Sequence, residues 1–475
     1  MTTAIITVFV IGYLFIALES LTKVNKAGVA LLMGIACWVL LLMGATEYGP
    51  SIIDKMVKAG ALSAEGAAAA MSDLSGYMSS NLFLHYLAEV CQTILFLMGA
   101  MAVVETVDSH GGFRFVKKAL YTPNPKALLW KVCVMTFFLS AVLDNMTTAI
   151  VMVMVLKNLI ADKDMRMKFA GMVIIAANAG GAFSPIGDVT TIMLWIKGCV
   201  STGGIITGIF LPSVVCMVIP ALIISFSLKG TVAAPSEDSA ADDKEKPLFR
   251  RGMRNVIFVL GVGGLISVPF FHGITGLPPF MGVLLVLSAL WIATELIIGA
   301  HHKDQAEYEK ARISHIISRI DMSTILFFLG ILIAVNAVAA TGSLEYLGHW
   351  LNDNVGNIYA IDSVIGVFSS IVDNVPLVAS AMGMYPIADA ATVAADPIMA
   401  NYVQDGLFWE LLAFCAGTGG SILIIGSAAG VVVMALEKIS FIWYLKRFSL
   451  LALSGYFAGI AWYWFEKTVL LGIFA

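Results

Sequence analysis

Apolar runs long enough to cross a lipid bilayer recur along the chain near 4–21, 27–45, 82–106, 169–197 and 204–228. A second set follows near 254–271, 278–299, 321–340, 406–436 and 448–466. Each run predicts a helix. Two further apolar stretches, 127–160 and 358–388, carry an Asp-Asn pair at their middles, Asp144-Asn145 and Asp373-Asn374. An acid at membrane depth is costly and marks a functional site by default. The runs 169–197 and 406–436 contain Gly180-Gly181 with Pro185, and Gly417 with Gly419-Gly420. These positions predict a break in each helix. A break frees backbone N–H and C=O groups, which is tolerable at membrane depth only beside a protein-lined cavity.

Composition agrees with this pattern. Of 475 residues 59% are hydrophobic and 13% charged, with a net charge of −4. A soluble domain is roughly a quarter charged, so a soluble enzyme, a disordered chain and a nucleic-acid binder are excluded. The length accommodates about ten to twelve spans at roughly 20 residues each. The six cysteines lie in or beside apolar runs, at no metal-like spacing, and read as small core residues. Met1-Thr2-Thr3-Ala4 lacks the basic region of a cleavable leader, so the first run reads as a retained span.

Lys and Arg in short loops assign the sides. Lys23 and Lys26, then Arg114, Lys117, Lys118, Lys126 and Lys131, mark cytoplasmic loops. Lys157, Lys163, Arg166 and Lys168 do the same, so both ends of 127–160 face the cytoplasm. That stretch is expected to be a re-entrant hairpin with Asp144-Asn145 at its tip. Lys303, Lys310, Arg312 and Arg319 make the loop 300–320 cytoplasmic, whereas 341–357 and 388–405 have neither Lys nor Arg. Both ends of 358–388 therefore face outside, and this hairpin enters from the opposite face.

The two halves also match in sequence. Ser140-Ala-Val-Leu-Asp144-Asn145 parallels Ser369-Ser-Ile-Val-Asp373-Asn374, at an offset of 229. Ala177-Asn178-Ala179-Gly180-Gly181 with Ile186-Gly187-Asp188 parallels Ala416-Gly417-Thr418-Gly419-Gly420 with Ile425-Gly426-Ser427, at an offset of 239. A ten-residue insertion in the second half accounts for the change of offset. Matched motifs with opposite expected topology indicate an inverted-repeat transporter. The expected fold is thus all-α and polytopic, with two inverted-topology repeats, each holding a re-entrant hairpin and a discontinuous helix. Residues 1–228 form the N-terminal repeat, 229–253 a solvated cytoplasmic linker and 254–475 the C-terminal repeat.

The motifs 140–149 (SAVLDNMTTA), 177–188 (ANAGGAFSPIGD) and 370–379 (SIVDNVPLVA) resemble those of the NhaD-type sodium/proton antiporters of the ion-transporter superfamily. The run Leu97 to Glu105 is similar to that family's third span. In the related dicarboxylate and citrate carriers the hairpin tips resemble Ser-Asn-Thr, without the acid. The resemblance implies proton-coupled export of sodium, with lithium as a second cation, across a bacterial inner membrane by a homodimer in lipid. It implies no cofactor; Na⁺ or Li⁺ and H⁺ are cargo.

The residues support a cation site independently. Sodium is a hard cation that takes oxygen ligands, by analogy with calcium sites. The motifs offer Asp144, Asn145, Thr147, Thr148, Asn178, Asp188, Thr190, Thr191, Ser369, Asp373, Asn374, Thr418 and Ser421, and no Lys or Arg falls among them. Sodium is expected at Asp144, Asn145, Asp188, Asp373 and Asn374. A proton and a cation competing for the same carboxylates give antiport if the site crosses only when loaded. Asp188 is unmatched in the repeat, since Ser427 takes its place.

His85, Glu89 and Gln92 share one helical face in span 82–106, and a proton relay or pH sensor stands beside plain helix–helix hydrogen bonding there. Glu105 is either part of that relay or an interfacial acid. His301-His302 reads as solvated, and Glu65 to Ala70 as an outer amphipathic helix without an assigned role. Three alternatives stay open. One is an anion carrier for arsenite, citrate or sulfate. Another is an intramembrane aspartyl protease, against which Pro185 stands where such enzymes have glycine. The last is a channel. Single cysteines replacing Lys126 and Lys163 are expected to label from the cytoplasm, and those replacing Asp353 and Asp396 from outside. Labelling of the first pair from opposite sides would make 127–160 an ordinary span.

Overall fold

The computed structural model describes residues 1–17, 19–58, 62–113, 120, 122–228, 230–232, 250–301, 312–371 and 374–470. Asp373, His302, the basic residues Arg114, Lys117, Lys118, Lys303 and Lys310, and most of the 229–253 linker lie outside them. Among the described residues every regular element is helical and there is no strand. Eight helices there are long and apolar enough to span a membrane. The chain is therefore a multi-pass, all-helical membrane protein.

The spans start where the sequence supplies a cap. Asn25 accepts from the Ala27 N–H to open Lys26–Met43, and Asn124 accepts from Lys126 and Ala127 to open Pro125–Leu143, with Pro125 in the first turn. Ser201 and Asp321 cap Thr202–Ser227 and Met322–Ala340 in the same way. The segment 46–81, expected to be largely loop, is mostly helical: Ala45–Lys58, Ala64–Ser72 and Leu74–Tyr77 precede Phe83–Ser109. Ser63 supplies the cap that starts the Ala-rich helix.

The chain divides into two compact units. The first comprises Met1–Leu95, Asp321–Asn357 and Val375–Pro386. Within it Lys26–Met43 packs along Met322–Ala340. Gly34 and Gly330 permit the approach, because a Cβ on Gly34 would come 2.7 Å from the Gly330 carbonyl oxygen. The Trp38 indole donates to the Ile333 carbonyl at 2.9 Å.

The second unit comprises Phe96–Ile320, Ile358–Asn374 and Ile387–Ala475. The expected interruptions are present here. The stretch 127–160 divides at Asp144 into Pro125–Leu143 and Asn145–Leu159, which pack on each other. The run 169–197 divides into Lys163–Ala182 and Val189–Ile196, and 406–436 into Leu407–Gly419 and Ala428–Glu437. Leu407–Gly419 has 13 residues, only about 20 Å at 1.5 Å per residue.

Matched residues perform matched packing. Pro125–Leu143 lies on Lys163–Ala182, and Ile358–Phe368 lies on Leu407–Gly419. Ser140 Oγ donates to the Ala177 carbonyl at 2.6 Å, and Ser369 Oγ to the Ala416 carbonyl at 2.9 Å. Gly180 faces the Phe137 backbone and Gly419 the Gly366 backbone, each too close for a Cβ. The broken helices cross: Lys163–Ala182 touches Leu407–Gly419 and Ala428–Glu437, while Val189–Ile196 touches Leu407–Gly419. Arg166 Nε meets the buried Glu437 carboxylate at 2.8 Å, fastening the start of one broken helix to the end of the other.

Backbone set against backbone cannot yield as a side-chain tip can. Gly180→Ala and Gly419→Ala are each expected to cost ~1–3 kcal/mol or more through overpacking. Gly28 in Lys26–Met43 has open space around it, so Gly28→Ala is expected to be neutral or to stabilise by roughly 0.5–1 kcal/mol. Thermal unfolding of the three variants in detergent checks this. Equal midpoints would refute the packing argument.

Candidate functional site

The second unit gathers its polar side chains where its helices are interrupted. Asp188 occupies the break between Lys163–Ala182 and Val189–Ile196 and caps the latter. Its Oδ1 accepts from the Thr190 N–H at 2.9 Å and from Thr190 Oγ1 at 2.7 Å. Thr191 Oγ1 closes the capping box, accepting from the Asp188 N–H at 3.3 Å. Ser427 caps Ala428–Glu437 at the matched break. The two caps share one backbone conformation, with φ −145° and ψ 149° at Asp188 and φ −141° and ψ 154° at Ser427.

Asp188 is 1% exposed, and a buried carboxylate is tolerated only where donors surround it. The amides of both Asp-Asn motifs converge on it. Asn145 Nδ2 donates to Asp188 Oδ2 and, at 3.1 Å, to Asn178 Oδ1. Asn374 Nδ2 reaches both Asp188 oxygens, at 3.3 and 3.4 Å. Asn178 Nδ2 then donates to Ser421 Oγ at 2.9 Å and Ser427 Oγ at 3.0 Å. Tyr444 Oη holds the Ser421 carbonyl at 2.8 Å. One continuous network thus joins Asn145, Asn178 and Asp188 from the first half of the sequence to Asn374, Ser421 and Ser427 from the second.

Asp144 forms the junction of Pro125–Leu143 and Asn145–Leu159, with φ 76° and ψ 157°. This region is otherwise the preserve of glycine and costs ~1–3 kcal/mol. Thr147 compensates in part, its N–H donating to Asp144 Oδ1 at 2.8 Å and its Oγ1 to Oδ2 at 2.7 Å. Asp144 immediately precedes Asn145, whose amide donates to Asp188.

Other expected residues have different surroundings. Ser369 is bound to the Ala416 carbonyl, and Thr418 Oγ1 bonds back to the Phe414 carbonyl at 2.6 Å. Thr148 is buried with its hydroxyl unpartnered. Asp373 lies outside the described residues. Among the described residues no three Asp, Glu, His or Cys side chains gather into a metal-holding group. The centre there consists of amides and hydroxyls around Asp188, with Asp144 nearby.

His85 and Glu89 belong to the first unit, where they pair at 3.7 Å with side chains 61% and 35% exposed. Glu105 is half-buried, and Ser109 Oγ donates to it at 3.5 Å. Two participants escaped the sequence reading. Ser427 stood only as the residue replacing an acid, although its matched position already put it at a helix break. Tyr444 carries no motif signal at all.

Asn178→Ala would leave buried partners on both sides, at about 1–3 kcal/mol for each group left unsatisfied. Thr418→Ala removes a bond within a single helix and should cost roughly 0.5–1.5 kcal/mol. Thermal unfolding of the two variants side by side tests the ranking. A Thr418→Ala effect equal to or above that of Asn178→Ala would contradict the bridging role.

With this geometry in view, the chain was compared with known proteins. The family model described as citrate transporter, CitMHS, matches residues 13–403. Sodium/proton antiporter 1 of Arabidopsis thaliana is 42% identical over 97% of this chain and 72% of its own length. Sodium/proton antiporter 2 of the same plant is 40% identical over 96% of this chain and 97% of its own. The Na⁺/H⁺ antiporter NhaD of Vibrio parahaemolyticus is 29% identical over 78% of this chain and 89% of its own. With a family model spanning most of its spans and relatives of these names, the chain is a transporter and not an enzyme, and it belongs to the citrate transporter family as an NhaD-type member.

Proposed function

We propose that the chain is a secondary transporter exchanging Na⁺, and also Li⁺, for H⁺, with cation and proton competing for intramembrane carboxylates. What carries the reading is the Asp188 centre. An almost fully buried acid is ringed by amides from both Asp-Asn motifs, and a second acid, Asp144, adjoins one of them. Carboxylate, amide and hydroxyl oxygens are the ligands a hard cation takes. Asp188 and Asp144 hold the cation or its competing proton, and Asp373 completes the set from the second motif. Asn145, Asn178 and Asn374 turn an oxygen inward when the cation replaces the hydrogen bonds they now donate.

The reading includes the architecture expected from the sequence. Residues 1–228 and 254–475 are inverted repeats joined by a cytoplasmic linker, with hairpins at 127–160 and 358–388 that enter from opposite faces. The matched serine bonds, glycine contacts and cap conformations favour it. Alternating access exposes the centre to one side at a time. We place the protein, as a homodimer, in a bacterial inner membrane. That location rests on the NhaD resemblance and the distribution of Lys and Arg, while the named relatives come from both bacteria and a plant.

The family's name favours a second reading, a carrier of citrate or another anion. An anion site would be expected to use cationic side chains, helix N-termini or co-bound cations. A centre built on carboxylates counts against it, as do the names of the antiporter relatives.

Proton movement followed by dye in everted vesicles or proteoliposomes, with each alkali cation in turn, decides between them. Sodium and lithium should drive proton movement, and citrate, arsenite and sulfate should not. Asp144→Asn and Asp373→Asn should each abolish the sodium response at matched expression. Asp188→Ser should impair exchange and raise the sodium concentration needed far more than Ser427→Asp does. Normal exchange in all three acid variants would remove the carboxylates from the mechanism.

A further inference from the structure

Asp362 stands on Ile358–Phe368, within the second Asp-Asn stretch but apart from the Asp188 network. It is 0% exposed, and neither carboxyl oxygen has a hydrogen-bond partner. Tyr359, one turn earlier and so on the same helix face, buries an unpartnered hydroxyl as well. Ile358–Phe368 packs on Leu407–Gly419, and Gly366, one turn after Asp362, meets the Cys415 backbone and the Tyr456 hydroxyl. Tyr456 and Tyr463 stand on Leu450–Phe465, which packs on Leu407–Gly419 as well. Both phenols direct their protons elsewhere. Tyr456 Oη donates to the Ser363 carbonyl at 2.9 Å, and Tyr463 Oη to Glu410 Oε2 at 2.8 Å.

A buried carboxylate without donors or a paired cation is costly by several kcal/mol. Its helix face offers the Tyr359 hydroxyl and, at Gly366, meets the Tyr456 hydroxyl, whereas a hard-cation shell needs about six oxygen ligands, several of them carbonyls or carboxylates. A proton fits this place better than a metal ion.

We propose that Asp362 is a second proton-carrying carboxyl, separate from the cation centre, which loads and unloads one proton in each exchange cycle. The proton adds to a carboxylate oxygen as the site fills and leaves the same oxygen as it empties, with no other bond made or broken. The proposal rests on the exchange reading above. Asp362 then makes the number of protons moved exceed what competition at Asp188 alone supplies.

The experiment measures sodium and proton fluxes together in proteoliposomes of wild type, Asp362→Asn and Asp362→Glu. Asp362→Asn should lower the number of protons moved per sodium and leave the sodium concentration for half-maximal exchange unchanged. Asp362→Glu should keep the wild-type ratio. An unchanged ratio in Asp362→Asn, or a loss of sodium affinity, overturns the proposal. Infrared spectra give a readout independent of turnover. A carbonyl band of a neutral carboxylic acid should be present in wild type, retained in Asp144→Asn and lost in Asp362→Asn. If Asp362→Asn fails to insert, displacement of that band in Asp362→Glu supports the assignment, and an unmoved band refutes it. Absence of any exchange in wild type would defeat the antiport reading instead, and the infrared band would still decide whether Asp362 holds a proton.

Discussion

A carboxylate withdrawn from water must find its donors in the protein, and this requirement at Asp188 organises the second unit. Its own helix supplies two of them, the N–H and hydroxyl of Thr190. The others come from Asn145 and Asn374, each at the first turn of a different interrupted helix. The run that Asp188 interrupts cannot pass unbroken through the centre, because a continuous helix presents no free N–H for it to cap. The interruptions and the acid are therefore one feature. The glycine contacts near each break follow from it, since the chain has to cross backbone against backbone to bring the caps together.

Much of this was legible in the sequence. The apolar runs marked the spans, and the Gly-Gly pairs and Asp-Asn motifs marked the interruptions, because a polar group at membrane depth is conspicuous against its neighbours. The motifs also named Asn145, Asn178, Asp188 and Asn374 before any distance was known. What could not be read was orientation. Thr418 and Ser369 carry the same hydroxyl as Ser421, yet they bond to carbonyls of their own or a neighbouring helix. Which way a hydroxyl points depends on the rotamer and the neighbouring backbone, and neither leaves a trace in residue type. The helices within 46–81 were underestimated for a related reason. That segment lacks a long apolar run, and its short helices depend on caps such as Ser63 and Asp73.

Asp362 illustrates a further limit. The criterion that selected Asp373 applies equally to Asp362, eleven positions earlier in the same apolar stretch. The Asp-Asn motif drew the reading to the repeated acid and away from the unrepeated one. Burial and the absence of a partner separate Asp362 from a helix-end acid such as Asp389, which Thr392 satisfies locally. A sequence records that an acid is present and leaves open whether anything answers it.

Asn178 has a consequence of its own. An amide is a directional bridge, with one accepting and one donating end. Here the oxygen faces Asn145 and the nitrogen faces Ser421 and Ser427. The matched position in the other half is Gly417, where a Cβ would come 3.1 Å from that of Ala182. With Asp188 opposite Ser427 and Ala182 opposite Ser421, matched positions at the centre have become unlike, and of the pair Asp188 and Ser427 only the first carries a carboxylate. Two identical subunits could never arrange this, because any residue at the centre would have to appear twice and two carboxylates would confront each other. Matched segments within one chain are free to vary separately, so the chain can carry a single, polarised centre.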